Sequence, residues 1–144
     1  MTLQEQLPDF PSRILYTMLR VTDFDRSIAF YRDGLGMCDL RRETFTEGRF
    51  TLVFIGYGTE ASNAVIELTY NWDEDEYAHG TGYGHVALEV NDIHATCNRL
   101  EHMGVKVVRQ PGPMKFAVDE TGAREIIAFI EDPDGYRIEL IEAN

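Results

Sequence analysis

The stretch Glu131-Asp-Pro-Asp-Gly-Tyr-Arg-Ile-Glu-Leu-Ile-Glu142 decides how this chain is read. Its Asp132-Pro133-Asp134-Gly135 segment is a tight-turn sequence: proline presets φ, aspartate bonds its own backbone, and glycine tolerates left-handed geometry. The apolar run Ile126 to Ile130 precedes it, and Tyr136, Ile138, Leu140 and Ile141 follow. Two apolar runs joined by such a turn predict an antiparallel hairpin. Glu139 stands in mid-strand between Ile138 and Leu140, where strand propensity favours a β-branched or aromatic residue. Period-2 alternation would simply turn its carboxylate to water. A functional explanation needs a partner elsewhere in the chain.

Working outward, the same plan occurs twice. Arg13 to Val21 reads as a strand, and Thr22-Asp23 caps a helix whose apolar positions are Phe24, Ile28, Tyr31 and Leu35. Strands over Met37 to Phe45, Arg49 to Tyr57 and Ala64 to Tyr70 follow. The acidic stretch Trp72 to Gly82 reads as a joint. Then come a strand over Tyr83 to Val90, a helix capped by Asp92 with Ile93, Cys97, Leu100 and Met103 on its apolar face, and strands over Val105 to Arg109, Glu125 to Ile130 and Tyr136 to Glu142. Leu19, Val21 and Asp23 recur as Leu88, Val90 and Asp92, each 69 positions on, and Ile66-Glu67-Leu68 recurs as Ile138-Glu139-Leu140, 72 positions on. The expected class is α+β, with an arm over residues 1–13 and one domain over 14–144 made of two tandem β-α-β-β-β modules, 14–72 and 83–144.

At 144 residues the chain is long enough for a substantial core, and its hydrophobic (44%) and charged (26%) fractions are those of a soluble globular protein. A net charge of −12 without a basic patch argues against nucleic acid or an anionic membrane as partner. No apolar run reaches the ~20 residues of a membrane span. Residues 1–12 have neither the basic nor the apolar region of a secretory signal. Two isolated cysteines, Cys38 and Cys97, form no disulfide framework, which fits a cytoplasmic location, and both read as packing residues.

Duplication turns one awkward glutamate into two. Glu67 and Glu139 hold equivalent mid-strand positions, and the first strands align so that His85 stands opposite Tyr16. If the two sheets face each other, these four side chains converge. One imidazole and two carboxylates make a mixed N/O set suited to a divalent ion such as nickel, cobalt, iron, manganese or zinc. Two inward carboxylates without a cation would repel and desolvate badly, whereas two solvent-facing ones would need none.

From about Arg13 to Glu142 the chain resembles glyoxalase I (lactoylglutathione lyase) of the short bacterial-type class, within the vicinal oxygen chelate superfamily. The resemblance rests on Thr17-Met-Leu-Arg-Val21, Ser27-Ile-Ala-Phe-Tyr31, Leu35-Gly-Met37, Phe54-Ile-Gly-Tyr-Gly58, Val65-Ile-Glu-Leu-Thr-Tyr-Asn-Trp72, Tyr83-Gly-His-Val-Ala87 and the run Ala128 to Leu140. It implies a homodimer with metal sites shared between subunits, and isomerisation of the methylglyoxal–glutathione hemithioacetal to S-lactoylglutathione. It places the ligands of one divalent metal, nickel or cobalt before zinc, on Glu67, His85 and Glu139, with Glu139 as base and Glu67 beside it as a catalytic carboxylate. Glutathione, the co-substrate, would meet Arg20, Asn71 and Lys115.

Two positions depart from that pattern. The family's first ligand, a histidine or glutamine, is Tyr16 here. A neutral phenol is a poor ligand, so the expectation is a weak ligand, a hydrogen-bonding wall or a partner for bound water. His79, in the loop before Tyr83, reads as an ordinary loop histidine with substitution for the missing ligand as the alternative, while His94 and His102 read as solvated. The segment Met114 to Glu125 is also several residues longer than the resemblance predicts, where the family closes over its substrate. These departures leave room for another isomerase or lyase step, or, in a different class, for a non-catalytic toxin-binding protein of the same fold.

Overall fold

The computed structural model describes residues 8–144, so the first seven residues of the expected arm lie outside the described residues. Eight strands and two helices follow in order: β1 (Tyr16–Arg20), α1 (Phe24–Ala29) continuing into a π-helical turn (Phe30–Gly34), β2 (Cys38–Phe45), β3 (Phe50–Gly56), β4 (Val65–Asn71), β5 (Val86–Val90), α2 (Ile93–His102), β6 (Lys106–Pro113), β7 (Ile126–Glu131) and β8 (Arg137–Glu142). They form two four-stranded sheets of identical topology, β1-β4-β3-β2 and β5-β8-β7-β6. The predicted duplication is the fold.

Each crossover helix begins where its aspartate predicts. Asp23 accepts from the Arg26 N–H at 3.1 Å and Asp92 from the Ala95 N–H at 3.0 Å, each satisfying an amide with no partner inside its helix. The first and last strands of each module pair parallel, Met18 opposite Glu67 and Ala87 opposite Glu139. Two strands begin three residues later than the alternation suggests, and the others one residue later. Residues 13–15 and 83–85 precede β1 and β5 without ladder pairing, so β1 starts at Tyr16 rather than Arg13 and β5 at Val86 rather than Tyr83. The edge strand β6 runs on to Pro113 through two irregularities. An edge tolerates Pro111 and Pro113 because it need not donate on its open side.

The hairpin predicted around Asp132-Pro133-Asp134-Gly135 joins β7 to β8. Gly135, at φ +85°, donates its N–H to the Asp132 carbonyl at 3.0 Å, and Asp132 Oδ1 accepts from the Asp134 and Tyr136 amides at 2.9 and 2.8 Å. This turn also joins the modules. Asp134 accepts from the backbone and hydroxyl of Thr22 and from the Ser27 hydroxyl, Tyr31 donates to Asp132 Oδ2 at 2.7 Å, and Tyr136 donates to the Arg20 carbonyl at 2.8 Å. Burial pushes the Asp132 carboxyl above its ordinary value, and burial with the neighbouring Asp132 pushes the Tyr31 hydroxyl well up.

A single core draws on both modules: Leu19, Val21, Ile28, Tyr31, Ile66 and Leu68 from the first, with Ile93, Cys97, Leu100, Ala128, Ile130, Ile138 and Leu140 from the second. Gly34 sits against Leu100, and Arg99 donates to the Gly34 carbonyl at 2.8 Å. The modules therefore bury their helix-bearing faces together. Burying that much aliphatic surface is the main stabilising term, at about 1.5–3 kcal/mol for each fully buried large side chain. Cys97 packs in this core, but Cys38 is exposed, contrary to the expectation for it, because β2 is an edge strand.

Candidate active site

Alternation puts one set of strand residues in the core and the other on the sheet face turned away from the helices. In the first sheet Leu19, Ile66 and Leu68 are core residues, so Tyr16, Met18, Arg20, Glu67, Thr69 and Asn71 share the opposite face. A small second cluster of Leu52, Phe54 and Val65 lies there too and covers Glu67, which is only 9% exposed. Its carboxylate accepts one hydrogen bond, from the Thr69 hydroxyl at 3.3 Å. Asn71, at the end of the same strand, donates to the Tyr77 hydroxyl at 3.0 Å.

In the second sheet Ile138 and Leu140 are core residues, so Glu139 and His85 share the face away from the helices. His85 Nε2 lies 3.3 Å from Glu139 Oε1, and the Glu139 side chain is 15% exposed. Alternation thus turns Glu139 out of the core onto a face where His85, Ala87 and Glu89 are exposed, yet the Glu139 side chain itself is mostly covered.

The two halves are built alike. Phe54 pairs across the sheet with Glu67, and Phe129 with Glu139. Tyr16 packs edge-on against Phe54 at 5.1 Å and 74°, and His85 edge-on against Phe129 at 5.2 Å and 74°. Each half is a ring, a phenylalanine and a glutamate. The two phenylalanines did not register in the sequence because the loops before their glutamates differ in length. Their signal is parity: each stands directly opposite its glutamate on the antiparallel neighbour.

Convergence of Tyr16, Glu67, His85 and Glu139 was conditional on the two glutamate-bearing faces turning toward each other, and within a single chain those faces do not meet. Among the described residues no three His, Cys, Asp or Glu side chains come together in a metal-binding arrangement. The reason is the packing just described. Two sheets that bury their helix-bearing faces against each other turn their glutamate-bearing faces elsewhere.

Lys115 lies in the long segment after β6, its ammonium 5.3 Å from the Phe116 ring. That segment is ordered by its own backbone, Met114 to Glu125 at 2.9 Å and Val118 to Ala123 at 2.9 Å, and holds Phe116 72% exposed. His79 stacks on Tyr136 at 4.1 Å, on the core side of the hairpin, so it does not replace a ligand on either glutamate face. His94 and His102 are exposed on α2, as expected. A cavity of about 660 Å³, lined by Phe30, Gly34, Met103, Lys106 and Asp132 among others, opens on the helix side and contains none of the candidate site residues.

Two β-α-β-β-β modules, each presenting a buried-strand glutamate beside an aromatic ring, define a paired-module α+β protein with a divided polar site. The chain belongs to the Glyoxalase/Bleomycin resistance protein/Dioxygenase superfamily, whose model matches residues 13–140. It is 54% identical over 130 residues to the lactoylglutathione lyase of Haemophilus influenzae, covering 90% of this chain and 92% of that protein. Among solved structures it resembles glyoxalase I of Zea mays at 40% identity and a TM-score of 0.84, covering 91% of this chain and 44% of that one. This chain therefore spans less than half the length of the maize protein. It also resembles a trypanothione-dependent glyoxalase I of Leishmania major at 42% identity and a TM-score of 0.76, over 92% of this chain and 87% of that one.

Proposed function

We propose that this protein is a lactoylglutathione lyase, isomerising the hemithioacetal of methylglyoxal and glutathione to S-lactoylglutathione. The observation that carries the reading is the His85–Glu139 pair at 3.3 Å, with Glu139 on the strand whose counterpart in the first module holds Glu67, in a chain half identical to lactoylglutathione lyases. A non-catalytic binding role leaves both semi-buried carboxylates without a purpose.

In this reading the functional molecule is a homodimer. The glutamate-bearing face of the first sheet in one subunit meets the corresponding face of the second sheet in its partner, so Glu67 comes from one chain and His85 and Glu139 from the other. The division of the four side chains between two faces of one chain supports this, because only a second copy brings them together. Exposed apolar side chains near β1, Ile14, Leu15 and Tyr16, are available for such a contact.

The donor set fits one divalent ion per site. Glu67 is buried with a single hydroxyl donor for its carboxylate, and His85 presents its Nε2 beside a second carboxylate. These are hard and borderline donors, within the range that nickel, cobalt and zinc accept. When bound, the ion supplies Lewis-acid stabilisation of the negative charge that proton removal leaves on substrate oxygen. Glu139 takes the proton from C1 of the hemithioacetal and returns it to C2 while the C1 hydroxyl proton passes to the C2 oxygen, so C1 is oxidised to the thioester and C2 reduced to the alcohol without an external redox partner. Arg20 offers a planar fork to a glutathione carboxylate, Asn71 an amide, and Lys115 a point charge from the long segment. No helix among the described residues is long and apolar enough to cross a membrane. The free cysteines are those of a reducing compartment, which favours the cytoplasm.

The test is to follow S-lactoylglutathione formation from methylglyoxal and glutathione after reconstitution with nickel, cobalt or zinc, with Tyr16→His alongside. Activity in the unmodified protein supports the reading. Inactivity with every metal, with activity in Tyr16→His, assigns the protein to another isomerase or lyase step.

A further inference from the structure

The two half-sites are geometrically equivalent but chemically unequal. Tyr16 precedes Met18, the partner of Glu67, by two residues, and His85 precedes Ala87, the partner of Glu139, by two. Both rings lean edge-on against the phenylalanine opposite their glutamate, at 5.1 and 5.2 Å and the same 74°. Phe54 is itself fixed, since the Arg41 guanidinium lies 3.6 Å from its ring centroid and is bonded to Glu60 at 2.9 Å. The fold therefore sets side chain 16 against the phenylalanine opposite the first glutamate as it sets an imidazole against the phenylalanine opposite the second.

We propose that Tyr16 makes the metal centre a one-nitrogen, oxygen-rich site, and so narrows its preference for nickel and zinc over manganese. This rests on the shared site described above. The phenol supplies oxygen or nothing, and His79, the loop histidine considered as a substitute, is held in its stack on Tyr136. Whether the Tyr16 hydroxyl touches the ion or a water beside it, position 16 contributes no nitrogen. Imidazole donors suit zinc and nickel, while carboxylate and water suit manganese and magnesium. Nickel still binds more tightly than manganese in any such site, but by a smaller factor than with a second imidazole.

The experiment is calorimetric titration of the metal-free protein with nickel and with manganese, for wild type, Tyr16→His and Tyr16→Phe, with pulsed EPR counting imidazole nitrogens on bound manganese in the wild type. We expect Tyr16→His to raise the nickel-to-manganese affinity ratio about tenfold or more, Tyr16→Phe to change it less than about threefold, and one nitrogen to be counted. An unchanged ratio in Tyr16→His, or two nitrogens in the wild type, overturns the proposal. None of these readouts requires turnover. Metal binding with an unmoved ratio defeats this inference alone, whereas no metal binding at all defeats the shared site with it.

Discussion

His85 Nε2 stands 3.3 Å from Glu139 Oε1, on a sheet face turned away from the core the two modules share. The pair is assembled by one short parallel ladder, so any ligand of His85 is also within reach of Glu139. In the proposed function, that closeness lets one carboxylate serve both to hold an ion and to move a proton.

Glu139→Gln keeps the shape and removes the basic oxygen. The turnover number falls by about 10²- to 10⁴-fold, the range general acid–base catalysis supplies, while far-UV circular dichroism is unchanged. Steady-state kinetics with the metal-reconstituted protein measure it. A loss below about tenfold assigns the proton transfer to another group.

Arg20→Lys retains the charge and loses the fork. On a carboxylate bound by two parallel N–H donors this is not a conservative change. The Michaelis constant for the hemithioacetal rises about tenfold with the turnover number nearly unchanged, the pattern of a lost uniform-binding contact. A fall in turnover with an unchanged Michaelis constant would place Arg20 at the reacting carbons instead.

Tyr31→Phe leaves a buried Asp132 oxygen without its 2.7 Å donor at the joint between modules. An orphaned buried acceptor costs about 1–3 kcal/mol, so the urea midpoint drops accordingly with an unchanged m-value. Asp134→Ala, which removes the acceptor for Thr22 and Ser27, acts in the same direction.

Asp132 also sets a pH dependence. Burial raises its carboxyl above the ordinary value of 3.8, outweighing the lowering effect of its hydrogen bonds. A raised acid holds its proton more tightly folded than unfolded. The stability it contributes is fully present below the ordinary value and is lost as pH climbs through the raised one. Asp132→Asn removes that titration. The wild-type-minus-variant unfolding free energy, taken from urea curves at successive pH values, therefore falls as pH rises from 3.8 upward. A difference that rises over the same interval contradicts the burial argument.

The repeat was legible because aliphatic alternation and the capping aspartates recur at nearly constant spacing, and Glu67 and Glu139 were legible as their exceptions. Whether Tyr16, Glu67, His85 and Glu139 meet within one chain or between two was not legible, for a definite reason. Alternation assigns residues to two faces of a strand but does not say which face the helices cover, and the apolar faces of α1 and α2 claimed the side that Leu68 and Leu140 occupy. Strand starts overran for a related reason, since Ile14, Leu15 and Tyr83 continue the apolar pattern after ladder pairing has ended. Phe54 and Phe129 stayed hidden because they lie 75 positions apart while their glutamates lie 72 apart, the difference being loop length.

The central claim is that each site takes Glu67 from one chain and His85 with Glu139 from its partner, and subunit complementation tests it most directly. Glu67→Gln and Glu139→Gln are each expected to be inactive as homodimers. Coexpressed, half the dimers carry both variants, and in each of those one site inherits both substitutions while the other is intact. The account predicts recovery of about one quarter of wild-type activity in the mixture, as expected for random pairing into two-fold dimers. A mixture as inactive as either parent, with mixed dimers present by mass spectrometry, would show that each site is built within a single chain and would contradict it.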